Sequence, residues 1–156
     1  MSNDFVQVGH KVPPFTSETT SGTFGLADQR GKKVVLYFYP KDSTPGCTTE
    51  TQEFGDASPA FAAAGVVVFG ISRDTIKSHL KFKQALGIPF DLISDPDEAL
   101  CSLFGVMKLK NMYGKQVRGI ERSTFVLDAQ GVLVKEWRGV KIPGHVAEVL
   151  EQVQSM

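Results

Sequence analysis

Long apolar runs are missing from this chain of 156 residues. No segment approaches the roughly 18–20 consecutive apolar residues that cross a bilayer. Cysteine is scarce: Cys47 and Cys101 are too few for a disulfide scaffold or a Cys-rich zinc site. No Cys-x-x-Cys supplies the second thiol of dithiol exchange. A surplus of one charge is absent as well, because 17 basic residues balance 17 acidic ones. That excludes any general pull towards nucleic acid or an anionic membrane. Gly-rich phosphate loops, internal repeats and linker-like stretches are all lacking. His10, His79 and His145 are scattered without metal-ligand spacing and read as surface or structural residues, so no metal and no cofactor is expected. The stretch MSNDFVQVGHKVPPF has neither the basic nor the apolar region of a signal peptide, and a reducing, cytoplasmic setting is the expectation.

What is present suits a single globular domain over residues 1–156. The apolar runs Val34–Tyr39 and Val66–Ile71 read as strands buried on both faces. Between them a helix runs from about residue 46 to Ala64, capped by Thr44, started by Pro45, and kinked or restarted at Pro59. Residues 75–86 read as an amphipathic helix that buries Ile76, Leu80, Phe82 and Leu86 and stops at Gly87. Phe90–Ile93 is a third strand, and Asp95–Phe104 a helix capped by Asp95. Met107 and Met112 flank a loop. Thr124–Leu127 and Val132–Trp137 form a hairpin around Asp128–Gly131, and residues 144–154 a last helix. Phe15–Phe24 reads as a small hairpin. Strands alternating with helices and ending in a hairpin predict an α/β fold with a mixed central sheet flanked by helices.

The chemistry concentrates in Tyr37–Glu50. Cys47 falls in the first turn of a helix that follows a buried strand. Backbone N–H groups there lack partners and the helix dipole is positive, so both favour a thiolate. Thr44, three residues earlier, can bring its hydroxyl beside the sulfur. The same spacing also fits a capped helix with an ordinary core cysteine.

Pro40-x-x-x-Thr44-x-x-Cys47 resembles the peroxidatic signature of peroxiredoxins, and the longer string resembles their bacterioferritin comigratory protein, or peroxiredoxin Q, subgroup. The likeness continues through Val8-Gly9 to Phe15, Gly31–Pro40, Gly70–Asp74, Leu92–Asp95 and Arg122–Asp128. It implies a thioredoxin-like fold and thiol-dependent reduction of hydrogen peroxide and small organic hydroperoxides. It also implies site roles. Cys47 attacks the peroxide, and Thr44, the Gly46 and Cys47 amides and Arg122 bind its oxygens. Pro40 shields the sulfur, and Glu50 orients Arg122. From charge pattern alone, Arg122 belongs to a basic stretch with Lys108, Lys110, Lys115 and Arg118 that reads equally as a solvated face.

The positions where relatives carry a resolving cysteine hold Gln52 and Lys83 here. Cys101, flanked by apolar residues in mid-helix, reads as a core residue, with a Cys47–Cys101 disulfide as the alternative. The expectation is a one-cysteine cycle in which thioredoxin, glutaredoxin or a small thiol reduces a Cys47 sulfenic acid. A non-enzymatic redox sensor and a binding module with an inert cysteine are the competing readings. Relatives imply a monomer or small homodimer.

Overall fold

Runs of β-branched and aromatic residues build the centre of the sheet. The computed structural model describes residues 6–156; the first five, which open the N-terminal stretch read above, lie outside the described residues. In chain order the strands are β1 (Thr16–Thr19), β2 (Gly22–Gly25), β3 (Lys33–Phe38), β4 (Val66–Ser72), β5 (Asp91–Ser94), β6 (Met107–Met112), β7 (Lys115–Ile120), β8 (Ser123–Leu127) and β9 (Leu133–Arg138). The helices are α1 (Pro45–Asp56), α2 (Ser58–Ala63), α3 (Ile76–Leu86), α4 (Ala99–Leu103) and α5 (His145–Gln154). Seven strands form one mixed sheet in the order β2-β1-β5-β4-β3-β8-β9. β3, β4 and β5 run parallel, and β8 lies antiparallel to β3 with Phe38 opposite Ser123.

The sheet separates two cores, because successive side chains of a strand point to opposite faces. On one side Val35, Tyr37 and Tyr39 pack with Cys47, Phe54, Phe61, Phe82, Val146 and Val149. On the other, Val34, Leu36 and Phe38 pack with Leu100, Cys101, Phe104, Val106 and Ile120. Helices α1, α2, α3 and α5 thus cover one face, and α4 with the adjoining β6–β7 segment covers the other. Gly70 on β4 is needed by the first core. A Cβ there would lie 2.6 Å from the Tyr37 ring and 2.8 Å from Leu92.

Three local expectations are corrected. The stretch between Met107 and Ile120 is a β6–β7 hairpin, turned at Tyr113 and Gly114, which both have positive φ. In α3 the buried face carries His79 and Phe82, while Leu80 is 47% exposed. The register follows Ile76, His79, Phe82 and Leu86, three or four residues apart, and Leu80 is out of phase with it. Helix α4 begins at Ala99, four residues later than expected, although Asp95 still serves its N-terminus by accepting from the Leu100 and Cys101 amides at 3.0 and 2.8 Å. The break at Pro59 separates α1 from α2 at Ala57.

Candidate active site

Helix α1 is fixed against β3 by an aromatic stack. Tyr37 and Phe54 lie 4.4 Å apart and nearly parallel, and the Tyr37 hydroxyl donates to Thr51 Oγ1 at 2.9 Å. This places the first turn of α1 beyond the end of β3, after the half-buried Pro40. Thr44 occupies the cap position, with φ −93° and ψ 154°, and its carbonyl accepts from the Thr48 amide. Its side chain does not cap the helix. Ser43, held in the left-handed region at φ 63°, precedes it, and the Thr44 hydroxyl donates back to the Lys41 carbonyl at 2.8 Å. Nothing in the described residues therefore occupies the Gly46 and Cys47 amides. These remain open donors at the positive end of the helix dipole. The Thr44 hydroxyl, its proton committed to Lys41, keeps its lone pairs free to accept.

Cys47 is 1% exposed. Arg122, between β7 and β8, brings Nη2 to 3.5 Å from Sγ and donates from Nη1 to Glu50 Oε1 at 2.7 Å. The Arg122 carbonyl in turn accepts from the Val140 amide at 2.9 Å. Gly46 makes this approach possible, since a Cβ there would sit 3.3 Å from Arg122 Nη2 and 3.2 Å from Ile142 Cδ1. Glu50 is fully buried, and its second oxygen has no partner among the described residues. Burial lifts its carboxyl to about 7 against the opposing pull of Arg122. Burial works against the Arg122 guanidinium, but its neighbours Glu50 and Cys47 outweigh that and hold it above its ordinary range. A fixed cation thus lies against the sulfur, and the helix start that carries the sulfur also offers two open amides and a hydroxyl lone pair, an arrangement suited to receive a polar molecule whose oxygens gain negative charge.

The fold brings Cys47, Thr44, Gly46, Glu50 and Arg122 to one end of the sheet, with Pro40 at the strand exit. It does not bring Cys101 there. That thiol lies in the opposite core, fully buried, with the central sheet between it and Cys47. Burial and the neighbouring Asp95 push it well above the usual thiol range. Gln52 is exposed, and Lys83 is engaged with Asp91 at 2.7 Å.

Residues 8–136 match the AhpC/TSA family. The chain belongs to that family and is a peroxiredoxin. Peroxiredoxin Bcp of Bacillus subtilis is 46% identical, covering 97% of each chain. Peroxiredoxin Bcp of Xanthomonas campestris is 54% identical over 83% of this chain and 81% of that one. Among solved structures, a cysteine-to-serine mutant of Xylella fastidiosa PrxQ superposes with a TM-score of 0.91 at 39% identity, covering 99% of this chain and 98% of that chain. A cysteine-to-serine mutant of Xanthomonas campestris peroxiredoxin Q gives 0.86 at 49% identity, covering 90% of each chain. The mixed sheet with helices on both faces is the thioredoxin-like arrangement these structures share.

Several residues around the site of this peroxiredoxin escape a sequence reading. Ile142, against Gly46, carries no local signal. His79 is a buried partner of Asp42, with Nδ1 2.7 Å from Oδ2, and its helical phase was the available clue. His145 is buried too, with Nε2 2.8 Å from Thr124 Oγ1. Burial, with Arg122 nearby, lowers its basicity. Of the basic residues grouped with Arg122, Arg118 pairs with Glu98 at 2.6 Å, and Lys110 donates to the Ile120 carbonyl.

Proposed function

We propose that this peroxiredoxin reduces hydrogen peroxide and small organic hydroperoxides by a one-cysteine cycle at Cys47, with residues 1–156 acting as one thioredoxin-like domain. The observation that carries the reading is the 3.5 Å approach of Arg122 to a sulfur seated at an uncapped helix start. The Cys47 thiolate attacks the terminal oxygen of the hydroperoxide. An S–O bond forms as the O–O bond breaks, and the electron pair leaves on hydroxide or alkoxide, which takes a proton from water. Arg122 and the Gly46 and Cys47 amides stabilise that developing charge, and Thr44 Oγ1 accepts from the peroxide hydroxyl. Glu50 holds Arg122 in place, and Pro40 limits the access of water.

The product is a Cys47 sulfenic acid. A thiol then displaces water to form a mixed disulfide, and a second thiol releases the Cys47 thiolate and an external disulfide. The placement of Cys101 supports an external reductant: a disulfide needs Cα atoms within about 7 Å, and the sheet intervenes. The reductant is thioredoxin, glutaredoxin or a small thiol. We place the enzyme in the cytoplasm as a monomer or small homodimer. Among the described residues no helix is long and apolar enough to cross a membrane. A related structure, 46% identical over 96% of this chain and 98% of that one with a TM-score of 0.87, describes alkyl peroxide reduction by Xanthomonas campestris bacterioferritin comigratory protein.

The test is peroxide consumption with a monothiol in excess. Repeated turnover is expected, with none in Cys47→Ser. Full activity in Cys47→Ser overturns the assignment, and a single oxidation without cycling favours a redox sensor.

A further inference from the structure

The β6–β7 hairpin carries at its tip a side chain that its own turn disfavours. Two residues, Tyr113 and Gly114, join β6 to β7, with φ 54° and 77°. A two-residue turn with positive φ at both positions takes asparagine, aspartate or glycine first, because other side chains crowd their own backbone there. Tyr113 occupies that position and is 100% exposed, so no contact within the described residues offsets the strain. An outlier of this kind points to a use outside the fold. Leu109 and Val117, on the two strands that lead to the tip, are 67% and 44% exposed.

The same hairpin segregates charge in a chain whose net charge is zero. Between Glu98 and Glu121 the sequence holds Lys108, Lys110, Lys115 and Arg118 and no acidic residue. Arg118 is paired with Glu98, and Lys110 donates to the Ile120 carbonyl at 2.7 Å. Lys108 and Lys115 are exposed and have no acidic partner among the described residues. Lysines on a bare strand guard against edge pairing, but that role does not call for a tyrosine at the tip. Two free cations are too few for a nucleic acid, whose sites take about 6–10 phosphate contacts. They are also too few for an anionic membrane, which takes clusters of about 4–8. Two cations flanking an exposed aromatic suit an acidic protein surface, with the tyrosine as anchor.

The base of the hairpin adjoins the reacting sulfur. Met107 is opposite Ile120, the Glu121 amide donates to the Val106 carbonyl at 2.7 Å, and the next residue is Arg122. Strands of this length reach roughly 20 Å. A protein interface covers about 800 Å² on each partner, roughly 30 Å across, so one partner can hold the tip while it presents a thiol to Cys47.

We infer that the β6–β7 hairpin is the docking surface for the protein that re-reduces Cys47, an acidic protein carrying a Cys-x-x-Cys dithiol. This rests on the external-thiol cycle above and selects among its reductants. The cycle consumes two thiols, and a dithiol partner supplies both from one docked position. Its first thiol displaces water from the Cys47 sulfenic acid and forms a mixed disulfide. Its second attacks the partner's own sulfur, releases the Cys47 thiolate and leaves a disulfide in the partner. A small monothiol makes no use of the hairpin.

Hydrogen peroxide turnover is measured with two reductants: a thioredoxin of net negative charge, kept reduced by its reductase, and thionitrobenzoate. In the double variant K108E/K115E, kcat/KM for thioredoxin is expected to fall about tenfold, while turnover with thionitrobenzoate stays within about twofold. The wild-type value for thioredoxin should fall several-fold between about 50 and 300 mM salt, and that of the double variant should not. Tyr113→Asn is expected to lower kcat/KM for thioredoxin about fivefold while Tm holds or rises, because asparagine suits the turn. Values for thioredoxin that stay within about twofold of wild type in both variants overturn the docking surface, as does an equal loss with thionitrobenzoate. A wild type that turns over with thionitrobenzoate but not with thioredoxin overturns it too and leaves the Cys47 cycle standing. Turnover with neither overturns the cycle itself. A homodimer in sedimentation that K108E/K115E dissociates would give the hairpin to a second copy of the chain and overturn the assignment.

Discussion

Arg122→Met separates the two jobs proposed for one guanidinium. At the sulfur it supplies a preorganised cation 3.5 Å from Sγ, and losing one such donor costs about 10²–10³ in rate, or about 2.7–4 kcal/mol of barrier. At Glu50 it partners a fully buried carboxylate whose other oxygen has no partner among the described residues. Stranding a buried charge costs about 3–5 kcal/mol, a large share of the about 5–15 kcal/mol that holds a domain together. The carboxyl, already at about 7 with Arg122 present, escapes part of that penalty by taking up a proton. The stability loss should therefore sit at the lower end of the range near neutrality and grow with pH. Adding Glu50→Gln removes the stranded charge. The double variant E50Q/R122M is expected to recover at least half of the lost stability in urea unfolding, while hydrogen peroxide turnover with excess monothiol stays at least a hundredfold down. Recovery of turnover along with stability would show that Arg122 serves only as the counter-charge of Glu50. A rate loss below tenfold in R122M would refute its role at the reacting oxygens.

Glu50 also gives a pH signature. Its folded carboxyl, at about 7, lies above the ordinary glutamate value of 4.5, so between these the native state binds more protons than the unfolded chain. Its contribution is fully present below about 4.5 and is lost as pH rises through 7. Relative to E50Q, wild-type stability should fall by about 3 kcal/mol across that window, and urea midpoints that run parallel in the two proteins would count against the burial argument. Cys101→Ala should leave turnover unchanged and cost about 1 kcal/mol of stability. Intact mass after one equivalent of peroxide should show one added oxygen in both forms, whereas loss of two hydrogens in the wild type alone would establish a Cys47–Cys101 disulfide. Gly70→Ala should lose about 1–3 kcal/mol or more in thermal unfolding, because its Cβ lands 2.6 Å from the Tyr37 ring; an unchanged Tm would mean the ring moves freely.

The legible part of this protein was local in kind. Val34–Tyr39 and Val66–Ile71 are strands because β-branched and aromatic runs fit a doubly covered pleat. The start of α1 follows from Pro45, and the break near Pro59 from its missing N–H. The β6–β7 hairpin was hidden because Lys108, Lys110, Lys115 and Arg118 made a strand pair look like a solvated loop, although Met107–Lys110 alternates in the manner of a strand.

Local sequence placed Cys47 in its helix, since a cysteine three residues after Thr44 and just beyond Pro45 lies in a first turn whose amides lack partners; that spacing fits a core cysteine equally, and the resemblance to peroxiredoxins is what marked the reacting atom. Tertiary structure decided the rest of the site. It sent the Thr44 hydroxyl to Lys41 instead of the helix, set Arg122 and Ile142 against Gly46, buried His79 on Asp42, and put the sheet between the two cysteines. Helix starts and strand periods are fixed by neighbours along the chain. Which charges meet across 75 residues, as Arg122 and Cys47 do, is fixed only when β3 and β8 pair and the sheet acquires two faces.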